Sequence, residues 1–313
     1  MGCGRHIATV ARVRVAAIDL GTNSTRLLVA DVEDGRVDEV VRLLAITRLG
    51  EGVDERRLLR PEPVARVHAV LDAYAREVEE RGATRVLAVA TSAVRDATNG
   101  ERFLEGLRER YGFVTLLLDG REEAETTFRG VTSDHRLDRE TLVVDIGGGS
   151  TELLVGGPGG VSFATSLQAG CVRLSERFLH TDPPTAGELE AAAAHTRLLL
   201  PALDVSAAVG VAGTITTVAA IDLGLAEYDA ERIHGHRISR AAAERALAQL
   251  SALSLAERER VPGLEPARAP VIVGGLVVLR EVLERYGLDE IEASERDILH
   301  GAALAAAGLG AAA

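Results

Sequence analysis

Lysine is missing altogether: all 35 basic side chains among the 313 residues are arginine. The chain therefore cannot be a P-loop nucleotide hydrolase, whose lysine touches the phosphates, a Schiff-base enzyme or a protein kinase. Cysteine is scarce too. Cys3 and Cys171 can build neither a disulfide framework nor a four-ligand zinc site, and both fit a reducing cytoplasm. With no tryptophan, four tyrosines and five phenylalanines, the chain offers few platforms on which bases could stack. A net charge of −12 disfavours nonspecific contact with nucleic acid, so none is expected as a partner. Apolar residues make up 47% of the sequence, yet no run approaches the ~20 residues of a membrane span, and no membrane partner is expected. The N-terminus has no apolar core of a secretory signal, and residues 1–12 read as a disordered leader.

What is present is a phrase written twice. VAAIDLGTNST at 15–25 and LVVDIGGGST at 142–151 each set an apolar run before Asp, a tight glycine loop and Ser-Thr. Aliphatic residues resume directly after each loop (RLLVADV, then TELLVGG), followed by a glycine turn and another apolar segment. This spacing predicts two hairpins in succession, with the glycine loop inside a hairpin rather than opening a helix as a Rossmann or Walker loop does. Helices are expected at 61–82, where Val64, Val67, Val70, Leu71, Tyr74 and Val78 share a face, at 103–112, at 122–131, at 170–179, at 186–203, at 239–253 behind Ser239, across 270–286, and from about 297 to 309. Strands are expected at the starts of RVLAVATSAVRDATN and VTLLLD and at 290–295. Two α/β halves with related openings imply a duplication and a cleft between them.

A tight glycine loop after a strand points successive backbone N–H groups into a concavity, which suits phosphate oxygens, and hydroxyls add donors. Asn23 and Ser24 in the first loop, and Gly147, Gly148, Gly149 and Ser150 in the second, are the candidate donors. A third loop, VGVAGTITT, brings Gly213 and Thr214 to the start of a helix, another anion site. The aspartate ending each strand, Asp19 or Asp145, suits a Mg²⁺ ion or its water shell better than a bare phosphate. Arg26 and Arg173 are further candidate phosphate clamps. His234 and His236 lack a third ligand nearby and carry no zinc reading; Cys171 reads as core.

DLGTNS, ATSAVRDATN, GREEAETTF, DIGGGSTE, GCVRLSERF and VAGTITT stand in the order and spacing of the exopolyphosphatase and guanosine pentaphosphate phosphohydrolase family, and the sequence resembles that family over about residues 13–309. The resemblance implies an actin-like (ribonuclease H-like) fold of the sugar kinase and Hsp70 ATPase type. Its two α/β domains would span 13–130 and 131–313, with the last helix packing back onto the first. It implies Glu123, in GREEAE, as the catalytic glutamate; by itself that acidic run would read as a solvated helix start. It places Arg95, in a polar loop, against the phosphate; otherwise Arg95 would read as a surface ion pair. It makes Asp145, Glu152 and Asp19 metal-associated acids, with Mg²⁺ or Mn²⁺ as the cofactor and a monovalent cation such as K⁺ as an addition. Family members often form homodimers. Longer members carry a C-terminal helical domain that the sequence ends before, so short chains are the expected substrates.

The expected activity is release of terminal orthophosphate from inorganic polyphosphate. The alternative is guanosine pentaphosphate hydrolysis, with guanosine tetraphosphate as a related ligand. From other classes come a kinase of the same fold and a non-catalytic sensor. A kinase is disfavoured by the few aromatics and by the setting of Glu123. A sensor would be expected to lose Glu123 or Asp145, and both are present.

Overall fold

The structure is a computed structural model that describes residues 12–134 and 137–309, so the expected leader falls, except for Arg12, outside the described residues. The first copy of the repeated phrase forms β1 (Val13–Leu20), β2 (Ser24–Glu33) and β3 (Arg36–Ile46), two antiparallel hairpins in a row. Next come the one-turn helix α1 (Val53–Arg56) and the long helix α2 (Pro61–Glu80), which starts on a proline where no N–H is needed and buries Val67, Leu71, Tyr74 and Val78. The half is completed by β4 (Arg85–Ala90), α3 (Ser92–Asp96), α4 (Gly100–Tyr111) and β5 (Val114–Leu117). Strands β4 and β5 run parallel to β1, giving the order β3-β2-β1-β4-β5.

Helix α5 (Gly120–Val131) leads into the second half, capped by Asp119, whose carboxylate accepts from the N–H groups of Arg121 and Glu122. There β6 (Thr141–Ile146), β7 (Thr151–Gly157) and β8 (Gly160–Leu167) repeat the double hairpin. Helices α6 (Cys171–Phe178) and α7 (Ala186–Leu199) precede β9 (Ala208–Val211) and α8 (Ala212–Asp222). The remainder is α9 (Ala230–Ile233), β10 (Arg237–Ser239), α10 (Arg240–Ser251), α11 (Leu255–Arg258), α12 (Ile272–Arg285), β11 (Glu290–Ala293) and α13 (Ile298–Gly308). The sheet order is β10-β11-β9-β6-β7-β8, with β9 parallel to both β6 and β11. Thus β8-β7-β6-β9-β11 repeats β3-β2-β1-β4-β5, and the fold is two related actin-like domains around a cleft. Only β10, an added antiparallel strand too short to show a period, has no counterpart.

Two details differ from the sequence reading. Residues 92–96, expected as polar loop, form α3, so Arg95 sits on a helical turn. Helix α5, expected to close the first domain at residue 130, packs on the second sheet: Ala124, Phe128 and Val131 cluster with Val143, Leu154 and Val209. Helix α13 makes the reverse journey, burying Leu299, Ala302, Ala303 and Ala306 against Val15, Leu28 and Val89 of the first sheet.

The two exchanged helices meet through glycines. A Cβ on Gly130 would lie 1.8 Å from the backbone oxygen of Asp297, and one on Gly301 would lie 1.9 Å from that of Thr126. No rotamer relieves a clash with backbone, so even alanine must push the helices apart. Gly130→Ala is expected to lower the unfolding free energy by about 1–3 kcal/mol, read as a lower denaturant midpoint; an unchanged midpoint would show that the contact is not tight.

Candidate active site

The duplicated phrase folds into duplicated turns. In the first, the N–H of Gly21 donates to the carbonyl of Ser24 at 3.0 Å; in the second, the N–H of Gly147 donates to that of Ser150, also at 3.0 Å. The loops approach each other across the cleft so closely that a Cβ on Gly148 would lie 2.8 Å from Thr22 Cβ, and one on Gly149 would lie 2.6 Å from Ser92 Oγ. Between the loops lies a cleft of about 760 Å³, including its open side. Asn23, Ser24, Gly147, Gly148 and Ser150 line it, as do Gly213 and Thr214 at the start of α8. Gly149 does not line it, because its carbonyl turns back to accept from Arg173 Nε at 2.6 Å.

The two copies differ where it matters for charge. Across β1 and β2, Asp19 stands opposite Arg26; across β6 and β7, Asp145 stands opposite Glu152. Directly opposed residues share a face of the sheet, so the first pair attracts and the second repels. Arg26 donates to Asp19 Oδ2 at 2.7 and 2.9 Å and also bonds Asp297, the N-cap of α13. Asp19 and Arg26 both line the cleft, with the Arg26 guanidinium shared between two carboxylates and Asp19 already paired with a cation. Burial still raises the Asp19 carboxyl above the ordinary range against the pull of Arg26. Asp145 is pushed up to about 8, by burial first and then by Glu152. Burial raises Glu152 as well; its Oε1 accepts from Ser166 at 2.7 Å, while its buried Oε2 has no partner.

Glu123 lies in the first turn of α5, 7% exposed, and lines the cleft with Asp145. Burial, then the charge of Glu152, holds its carboxyl well above the usual range, against the pull of Arg95. Arg95 does not line the cleft. It stands behind Glu123, giving one Nη1 to Glu123 Oε2 at 3.0 Å and to the Leu118 carbonyl at 2.7 Å, and its buried Nη2 has no partner. Arg173 likewise points away from the cleft, toward Asp54 and Asp96 of the first domain. Thr22, Ser92 and Arg268 also line the site but stood out in no motif; Thr22 was visible within the first loop, whereas Arg268, from an irregular proline-containing stretch, gave no signal.

Among the described residues, no group of three or more His, Cys, Asp or Glu is arranged to hold a metal unaided. Asp145, which lines the cleft, and Glu152, buried beside it outside the lining, nonetheless suit a divalent cation that takes its other ligands from water and phosphate: two repelling carboxylates, one with an orphaned oxygen, are a donor set short of positive charge.

Those raised acids set a pH dependence of stability. Between an unfolded value near 3.8 and a folded value of about 8, native Asp145 holds a proton that the unfolded chain has released, so its burial costs stability increasingly as pH rises through that window. Asp145→Asn removes this cost. Without divalent cation, its Tm should exceed that of wild type by more than ~2 °C at alkaline pH, and the gap should close on acidification toward the unfolded value; a gap independent of pH would contradict the buried charge.

The profile of the Ppx/GppA phosphatase family matches residues 28–307. Exopolyphosphatase 2 of Mycobacterium tuberculosis is 40% identical over 320 aligned positions, covering 96% of this chain and 100% of that protein. A Vibrio vulnificus guanosine-5'-triphosphate,3'-diphosphate pyrophosphatase is 32% identical across 88% of this chain but 55% of its own length. The crystal structure of an exopolyphosphatase-like protein matches with a TM-score of 0.89 and 36% identity, covering 94% of this chain and 97% of that one. The Aquifex aeolicus Ppx/GppA family member matches with a TM-score of 0.79 and 31% identity over 94% and 97% of the two chains. With a profile match running from β2 into α13, across both sheets, the chain belongs to the Ppx/GppA phosphatase family.

Proposed function

We propose that this protein is an exopolyphosphatase, releasing terminal orthophosphate from inorganic polyphosphate in the cytoplasm. The observation that carries the reading is the placement of Glu123: a buried carboxylate facing a cleft walled by two phosphate loops of one geometry. The full-length similarity to a mycobacterial exopolyphosphatase supports it. Phosphoanhydride hydrolysis needs an oriented water, a group to take its proton and fixed donors for the phosphoryl oxygens. Glu123 Oε1 or Oε2 accepts the water's proton, and its raised affinity for protons makes it a stronger base than an exposed glutamate. Arg95 holds that carboxylate in place, with one Nη left to donate. The N–H groups and hydroxyls of the loops around Asn23, Ser24, Gly148 and Ser150 bind the phosphates, and Thr214 adds a donor from α8. Mg²⁺ held by Asp145 and Glu152 would neutralise charge on the phosphoryl oxygens.

A second reading, guanosine pentaphosphate hydrolysis, is favoured by one feature. Beyond Arg268 the cleft opens into a cavity of about 1580 Å³ including solvent, lined partly by Leu43, Leu44, Leu264 and Tyr228, where a base could rest.

Phosphate release from polyphosphates of defined length, from guanosine pentaphosphate and from ATP, each with and without Mg²⁺, separates these readings. Short polyphosphate should be the best substrate, and Glu123→Gln should lower turnover by about 10²–10⁴-fold with binding nearly intact. Turnover within tenfold of wild type would remove Glu123 from its role, and preference for ATP would favour a kinase-like enzyme.

Without divalent cation, the Glu123 carboxyl should titrate above the ordinary glutamate range. Glu152→Gln removes the like charge that helps to hold the proton, so the midpoint, read by carboxyl NMR, should move to lower pH. A midpoint that stays in place, or moves up, would mean that Glu152 does not act on Glu123.

A further inference from the structure

We infer that Arg173 is a positioning residue that sets Arg95 against the second phosphate loop; the inference rests on the reading of the cleft given above. Arg173 stands on α6 and is 6% exposed. Its guanidinium has three partners on three segments. Nε donates to the carbonyl of Gly149, inside the second loop, at 2.6 Å. One Nη donates to Asp96 at 2.5 Å, and the other pairs with Asp54. Asp96 is the residue after Arg95 on the five-residue helix α3, and Asp54 lies on α1, so both carboxylates belong to the first domain while α6 and Gly149 belong to the second. One planar fork therefore joins the helix that carries Arg95 to the loop that would hold the phosphates. The surrounding contacts reinforce the tie: Arg177 bonds the same Asp54 at 2.7 Å, and the N–H of Gly52 donates to Glu176 at 3.2 Å.

Arg173 is not itself among the residues that line the cleft; its backbone N–H donates to the carbonyl of Gly148, which does, at 3.2 Å, so it reaches the substrate only through what it holds. Turning the Gly149 carbonyl backward commits the orientation of the neighbouring peptides of the loop. Fixing Asp96 fixes the turn of α3, and with it the distance from Arg95 to Glu123. A lysine would keep the charge but could not span Asp54, Asp96 and a carbonyl at once.

The test uses the full chain and triphosphate as the polyphosphate probe. Arg173→Lys should lower kcat by about 10–100-fold, the scale of a small misplacement of reacting groups, while KM changes by less than about threefold. Asp96→Asn should reproduce the same split more mildly. In an Arg95→Ala background, adding Arg173→Lys should lower kcat by no more than about threefold, because the group it positions is gone. Multiplying losses, or a raised KM with kcat unchanged, would overturn the inference in favour of general stabilisation or direct phosphate binding. Amide hydrogen exchange gives a reading that needs no turnover. In Arg173→Lys, residues 93–96 and 147–150 should lose protection together, and unchanged exchange in either segment would overturn the coupling. If the wild type releases no phosphate from triphosphate, the substrate reading fails, and exchange alone decides the role of Arg173.

Discussion

The site depends on what stands opposite an aspartate. Both copies of the duplicated phrase set Asp one residue before the end of a buried strand and turn through a four-residue loop, so both produce the same backbone turn. In one copy the opposing residue is arginine, and the carboxylate is neutralised within its own sheet. In the other it is glutamate, and two buried carboxylates repel. The first copy is thereby a supporting wall. The second is a place where positive charge is missing, and Glu123 shares that deficit. Symmetry of backbone with asymmetry of charge is what sets the two walls of the cleft apart.

The charge on the supporting wall is itself relayed. Arg26 binds Asp19 and Asp297; Arg42 binds Asp297 and Glu295, the latter at 2.7 Å. Asp297 caps α13, the helix that crosses back to the first sheet, and its carboxyl lies well below the usual range because Arg26, Arg42 and His300 outweigh the effect of its burial. A residue at the end of the chain thus helps to set the electrostatics of a loop near its start. Buried pairs of this kind add little net stability, but removing one member leaves the other charge stranded.

The double hairpins, the third loop and nearly all the longer helices were legible in the sequence, because each has a clear apolar period or a turn residue where the chain must turn. The site was legible in its motifs but not in its pairings. Nothing local to DLGTNSTR says that Arg26 spends its guanidinium on Asp19 and on a residue 271 positions later. The partners of Arg173 were hidden for the same reason: Asp54 and Asp96 are distant in sequence and close only once both domains are folded. That α5 packs on the second sheet was hidden because its amphipathic face does not say which sheet it covers. Where a side chain has two strong partners available, sequence order cannot choose between them.

The absence of lysine then acquires a structural sense. Arg26 and Arg42 each bridge two carboxylates, and Arg173 bridges two carboxylates and a carbonyl, which a planar fork can do and a point charge cannot. Arg173 ties the two domains, holding Gly149 on one side and Asp54 and Asp96 on the other. At the same end the two loops approach closely at Thr22 and Gly148. Arg268 is different. It overlies Gly213 between the two cavities and holds only Glu265, three residues away on the same turn, at 3.2 Å. Of the two arginines that line the cleft, Arg26 is thus held by two carboxylates from distant parts of the chain, and Arg268 by a single one on its own turn.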